Sequence, residues 1–176
     1  MISMTSASAT DEDVVRKLQD EAIDWLRGLG TDQWQDLRPG RHGTGRSLRE
    51  AIARGEVFLA RDAGHVVGTL TLDTFADPEF WGPRDDPNDA LYIHRMVVAR
   101  AAGGRDVGGR MIDWALARAA ADGKRWLRLD AWRSNTGLHA YYLRHGFTHV
   151  RTVDLPHRGS GALFQHATTS RSRQAA

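Results

Sequence analysis

Apolar residues Val14, Leu18, Ala22, Trp25, Leu26 and Leu29 recur at helical spacing, with Asp13, Arg16, Lys17, Asp20, Asp24 and Arg27 between them. This pattern predicts an amphipathic helix over 14–29, stopped by Gly28 and Gly30. Residues 31–45, with Pro39 and three glycines, read as a loop. Ser47 and Glu50 then stand at capping-box spacing ahead of a short helix to Ala53. The period changes to two after Gly55. Val57–Ala60 and His65–Thr74, joined by Asp62-Ala63-Gly64, predict two adjacent antiparallel strands. Residues 77–89 hold three prolines and five acidic residues and are excluded from a central strand. Ala90–Ala99 predicts a strand, and the stripe Met111, Ile112, Ala115, Leu116 and Ala119 predicts a helix over 107–121, ended by Gly123. Trp126–Trp132 predicts a strand, Thr136–His145 a helix closed by Gly146, and 147–153 with 161–167 a final antiparallel pair.

The strand–helix–strand unit over 91–131 requires a parallel pair joined by a right-handed crossover, and the 57–74 hairpin requires antiparallel neighbours. The expected fold is therefore α/β, with a mixed and mostly antiparallel central sheet flanked by helices on both faces. With 176 residues and 41% hydrophobic content, the chain suits one domain, expected over 1–170, with 1–11 and 168–176 as frayed tails.

Composition narrows the chemistry. Twenty-six per cent charged residues argue against disorder, and no apolar run approaches the ~18 residues of a membrane span, so neither a membrane partner nor a transmembrane location is expected. The opening residues MISMTSASAT lack the basic and apolar regions of a secretory signal, which makes the cytoplasm the expected compartment. The absence of Cys removes disulfides, zinc–thiolate sites and thiol nucleophiles, and no metal site is expected. A net charge of +2 with dispersed basic residues, including those between Arg144 and Arg158, does not suggest a nucleic-acid partner.

Between the strand ending at Val98 and the helix starting near Val107 lies ARAAGGRDVGGR, in which Gly103, Gly104, Gly108 and Gly109 allow close approach of a ligand to the backbone. The free N–H groups and positive dipole end of the helix make this turn a site for a phosphate or pyrophosphate. It is neither a P-loop, lacking Lys, nor a dinucleotide fingerprint, lacking G-x-G-x-x-G spacing. Ser134, His139 and Asp154 could compose a hydrolase set, but no G-x-S-x-G elbow accompanies them.

The segment Gly103-Gly104-Arg105-Asp106-Val107-Gly108 resembles the acetyl-coenzyme A signature [QR]-x-x-G-x-[GA] of the GNAT superfamily, the Gcn5-related N-acetyltransferases. It departs from that spelling at Gly103 and Asp106. About 30 residues on, Asn135-Thr136-Gly137-Leu138-His139-Ala140-Tyr141-Tyr142-Leu143-Arg144-His145-Gly146-Phe147 resembles the family's N-x-x-x-x-x-[LFY]-Y-x-x-x-G-F segment in register. The resemblance covers most of residues 12–153. It implies an N-acetyltransferase that moves the acetyl group of acetyl-CoA, a co-substrate, to a primary amine of a small molecule or peptide. The amine attacks directly in a ternary complex, in agreement with the absent Cys nucleophile. Carried over, the resemblance gives the backbone of Met96, Val97 and Val98 to the pantetheine arm. Gly103, Gly104, Arg105, Asp106, Val107, Gly108 and Gly109 fall to the pyrophosphate, Asn135 to the cofactor arm, and Tyr142 to protonation of the leaving thiolate. A homodimer is compatible with the resemblance.

For the base that frees the amine, strand alternation puts His94 on the face of Met96 and Val98, in competition with Asp73 and Asp130. Tyr141 reads as structural, and Trp34 and Trp81, in segments expected near the acceptor, read as cleft walls or, as loop Trp residues more often are, as plugs of the core edge. The departures at Gly103 and Asp106 motivate the alternative of a GNAT-like module that binds coenzyme A or another ligand without catalysis.

Overall fold

The computed structural model describes residues 1–35 and 46–168. Seven strands form one sheet in the order β1-β2-β3-β4-β5-β7-β6, made of β1 (Ile2–Ser6), β2 (Val57–Asp62), β3 (His65–Asp73), β4 (Ala90–Val98), β5 (Trp126–Trp132), β6 (Thr148–Thr152) and β7 (Ser160–Ala167). Only β4 and β5 pair in parallel, across the crossover helix α3 (Val107–Ala121), and the other neighbours are antiparallel. The remaining helices are α1 (Glu12–Gly28), α2 (Leu48–Ala53) and α4 (Thr136–Arg144). Most of loop 31–45 lies outside the described residues, as does the expected tail beyond Thr168.

Alternation divides the core between the two faces of the sheet. Phe58, Ala60, Leu70, Leu72, Leu91, Ile93, Leu127 and Leu129 pack with Met111, Ile112 and Ala115 of α3 and Tyr142 of α4. Val57 and Leu59 point the other way and pack with Val15 of α1 and Leu48, Ala51 and Ile52 of α2. A third cluster of Phe80, Trp81, Ala90, Tyr92 and Leu163 seals the far side near β6. The helices end as their caps dictate. Ser47 Oγ accepts from the Glu50 N–H at 3.2 Å while Glu50 Oε2 accepts from the Ser47 N–H at 2.7 Å, and Gly146 closes α4 at φ +83°.

Two expectations need correction. Residues 2–6 are not a frayed tail: they pair along β2, and the Ala7 N–H donates to the Val57 carbonyl at 2.9 Å. Methionine-1 to Ser6 alternates apolar and polar side chains too briefly for periodicity to separate strand from tail. The apolar stripe of α1 is carried by Val15, Leu18 and Leu26, while Trp25 and Leu29 are 40% and 58% exposed. Trp81 is a core residue, 3% exposed, with its ring against Tyr92 and the Arg128 guanidinium.

Candidate active site

The site begins with an interrupted ladder. β4 pairs with β5 only over Ala90–Tyr92 against Trp126–Arg128, after which the strands separate and β5 continues its pairing with β7. On its other side β4 remains paired with β3, but the register shifts between Thr69 and Thr71, opposite Val97 and His94. The cause is a bulge at Arg95, whose backbone takes φ +50°, a conformation rarely occupied by side chains other than Gly, Asn and Asp. The extra residue breaks the alternation. Met96 and Val98 therefore join Ile93 against the α3 core, whereas His94 turns to the opposite face and meets Asp73. The expectation that His94 shares a face with Met96 and Val98 is thus overturned.

Where β4 and β5 part, a cavity of about 1160 Å³ opens. One end is formed by Gly103, Gly104, Asp106, Val107 and Gly108, the middle by Met96, Val97, Val98, Asn135, Tyr141 and Tyr142, and the other end by Asp32, Trp34, Asp73, Asp77, His94, Arg95, Asp130 and Trp132. Of the residues expected at the cofactor, Arg105 and Gly109 do not line it. Arg105 turns its guanidinium to an ion pair with Asp62 of β2, and Gly109 is buried in the first turn of α3.

At the glycine-rich end, the chain runs through a 3₁₀ turn at Arg100–Ala102, passes Gly104 at φ +76°, and enters α3 from Asp106 at φ +55°. Asp106 makes no side-chain capping bond, and its carboxylate lies over the first turn so closely that a Cβ at position 109 would overlap Oδ1. Glycine at 108 is also sterically required, since a Cβ there would overlap the Tyr141 hydroxyl. The Tyr141 hydroxyl reaches the start of α3 and its ring lies 4.4 Å from that of His145, packing contacts of the structural kind expected for it. Burial, reinforced by the Asp106 charge and opposed by Arg144, pushes its phenol up to about 12.

Tyr142 projects from the next position of α4. Its ring is buried against Phe147 at 5.5 Å and Phe164 at 5.9 Å, and this burial, with smaller contributions from Tyr141 and Asp130, pushes the phenol well above the ordinary tyrosine range. The group therefore keeps its proton at neutral pH. Asn135 positions this helix: its Oδ1 caps α4 by accepting from the Leu138 N–H at 2.9 Å, and its Nδ2 donates to Gln33 Oε1 at 2.6 Å. Gln33, buried and anchoring α4 from 102 residues away, had no signal in its surrounding sequence.

At the acidic end, Asp73 is buried; Oδ1 accepts from the Phe75 N–H at 2.8 Å and lies 3.2 Å from His94 Nε2, while Oδ2 has no partner among the described residues. Asp77 is taken up by Arg158 at 2.8 Å and Asp32 by the Ser134 hydroxyl at 2.6 Å, and hydrogen bonds from Ser134 and Trp132 hold the Asp32 carboxyl below its usual range. Asp130 and Trp34 also line the cavity wall. The trio of Ser134, His139 and Asp154 does not assemble: Ser134 binds Asp32, Asp154 pairs with Arg133, and His139 Nε2 meets the Trp132 carbonyl at 2.8 Å.

An interrupted parallel pair with a glycine-rich helix start at its opening is the frame on which the family comparisons bear. Residues 19–147 match the Acetyltransferase (GNAT) family, and the chain belongs to that family. It is 29% identical over 140 residues, 78% of this chain and 76% of the relative, to an uncharacterized N-acetyltransferase, YesJ, of Bacillus subtilis. Among solved structures, an acetyltransferase of the GNAT family from Listeria monocytogenes superposes with a TM-score of 0.77 at 27% identity, covering 94% of both chains. The PaiA N-acetyltransferase of Thermoplasma acidophilum, solved in complex with coenzyme A, shares the fold at a TM-score of 0.72 and 16% identity, over 95% of this chain and 99% of that one. Among the described residues, no helix is long and apolar enough to cross a membrane.

Proposed function

We propose that the protein is an acetyl-CoA dependent N-acetyltransferase that acts on a primary amine of a small molecule or peptide in a ternary complex. The observation that carries this reading is the opening of β4 from β5 directly beside the start of α3, with Tyr142 lining the same cavity. The residues fit the co-substrate. Backbone groups of β4 beyond Tyr92 are not paired by β5, which leaves them for a pantetheine arm added like a strand, and Gly104, Asp106, Val107 and Gly108 at the start of α3 line the same cavity.

Acetyl-CoA supplies the thioester carbonyl, whose C–S bond breaks as the amine nitrogen forms the new C–N bond. Met96, Val97 and Val98 orient the arm through their backbone, and the N–H groups of Gly104, Asp106, Val107 and Gly108 hold phosphate oxygens, those of Gly103 and Arg105 being taken by the Arg100 and Ala102 carbonyls. Tyr142, whose phenol is protonated at neutral pH, donates its proton to the departing sulfur. His94, held by Asp73, receives the proton that the ammonium must lose before attack. Asn135 acts by capping α4 and so fixing Tyr142.

Titration with acetyl-CoA and with free coenzyme A under thermal denaturation tests the reading. A ligand at 100 times its Kd stabilises by about 2.7 kcal/mol, or on the order of 5–10 °C. A saturable shift, followed by release of free thiol with an amine panel, is the expected outcome. A shift without thiol release would favour a non-catalytic coenzyme-binding module, and no shift at millimolar ligand would overturn both.

A further inference from the structure

The acceptor end of the cavity holds a guanidinium with no carboxylate partner, and a carboxylate with one unsatisfied oxygen, among the described residues. Arg95 is half-buried at the β4 bulge and lines the cavity, and its only described hydrogen bond is a long one, 3.5 Å, to the Arg46 carbonyl. No carboxylate among the described residues pairs with it. The neighbouring acids are committed elsewhere: Glu56 to Arg46 at 3.0 Å and Arg54 at 2.8 Å, and Asp77 to Arg158. Burial lowers the Arg95 pKa and the Asp73 charge opposes that shift, so the guanidinium sits desolvated within the field of Asp73 without touching it. On the same wall Asp73 keeps Oδ2 buried and without a described partner. The Arg95 backbone itself is strained at φ +50°, and such strain concentrates at ligand clamps.

Resting on the transferase reading above, we infer that the acceptor is a zwitterion, an amine that carries a carboxylate, with Arg95 gripping the carboxylate and the amine directed to Asp73 and His94. An unpaired guanidinium in a low-dielectric wall gains most from a planar anion that it can bind through two parallel hydrogen bonds. A phosphate dianion is disfavoured, because Asp73 and Asp130 line the same end.

The test compares substrates that differ only in the carboxylate: L-phenylalanine with its methyl ester and with phenethylamine, and L-lysine and L-ornithine with cadaverine and putrescine, across the remaining common amino acids with their methyl esters. Thiol release is read in the wild type and in Arg95→Gln and Arg95→Lys. For the preferred acceptor, kcat/KM is expected to exceed that of its ester and its decarboxylated amine by about tenfold or more. Arg95→Gln should reduce this ratio to about threefold or less, chiefly through KM for the acid, while Arg95→Lys retains part of it. Esters and plain amines that match or outperform the acids in the wild type would overturn the inference without any variant, leaving the transferase reading intact. An equal loss of acids and amines in Arg95→Gln, with the acetyl-CoA thermal shift retained, would overturn it too. The transferase reading itself fails by a different sign, namely absence of both the acetyl-CoA shift and thiol release with every acceptor.

Discussion

Two residues in the cavity make opposite demands on acetyl-CoA. Tyr142 is surrounded by Phe147, Phe164 and Tyr141, so removing its hydroxyl leaves the packing in place. Tyr142→Phe is expected to lower kcat by about 100-fold, as loss of a positioned proton donor does, with the coenzyme A thermal shift unchanged; steady-state kinetics beside the melting curve checks it. Asp106 places a negative charge at the positive end of α3, on the approach to the expected phosphate site. Removing the charge while keeping the φ of +55° accessible is what Asp106→Gly does. Calorimetric titration should show coenzyme A binding about fivefold more tightly, equivalent to ~1 kcal/mol of relieved repulsion. Unchanged or weaker binding would place the phosphates away from this turn.

At the level of elements, α4 hangs from one side chain. Asn135 both caps the helix and bridges to Gln33, and Asn135→Ala is expected to cost about 1 kcal/mol, or roughly 2–4 °C in Tm. Asn135→Asp keeps the capping oxygen but loses the donor to Gln33, and should recover much of the loss; thermal denaturation of both variants distinguishes cap from bridge. The helices and most strands were legible in the sequence because their periods of 3.6 and 2 run long enough to declare themselves, and the order of the two glycine-anchored segments pointed to the family. The bulge was not legible. Nothing in the spelling Ile93-His94-Arg95-Met96 marks a positive φ at an arginine, a residue type that rarely adopts it, and the alternation rule carried His94 to the wrong face. Gln33 and the Asp73 pairing with His94 were equally hidden in part, since both depend on contacts between elements 102 and 21 residues apart.

Across the whole molecule, the proline-rich stretch before β4 is tied to β6 by Arg151, which donates to both Asp85 oxygens at 2.9 and 2.7 Å and to the Phe80 carbonyl at 2.6 Å. The Arg151 hydrogen bonds, aided by the Gly82 N–H, hold the Asp85 carboxyl below its usual range against the opposing effect of burial. A carboxyl depressed in the folded state contributes stability above its unfolded value of about 3.9, and this contribution disappears as the pH falls through the folded value. Asp85→Asn should therefore lower stability at neutral pH and flatten its decline below about pH 4, as followed by urea denaturation across pH. Parallel curves for wild type and variant would show that the Arg151 pair carries no net stability.

The parting of β4 from β5 also has a dynamic consequence. Amide protons in β4 that face the gap have no strand to shield them, whereas those at Ala90–Tyr92 sit in a completed ladder. A bound pantetheine arm would serve as a detachable eighth strand, and hydrogen exchange should slow selectively over 93–98 on addition of acetyl-CoA, with 90–92 scarcely altered. The free protein keeps an unfinished seam in the middle of its sheet, which the proposed co-substrate would close on binding and reopen on release.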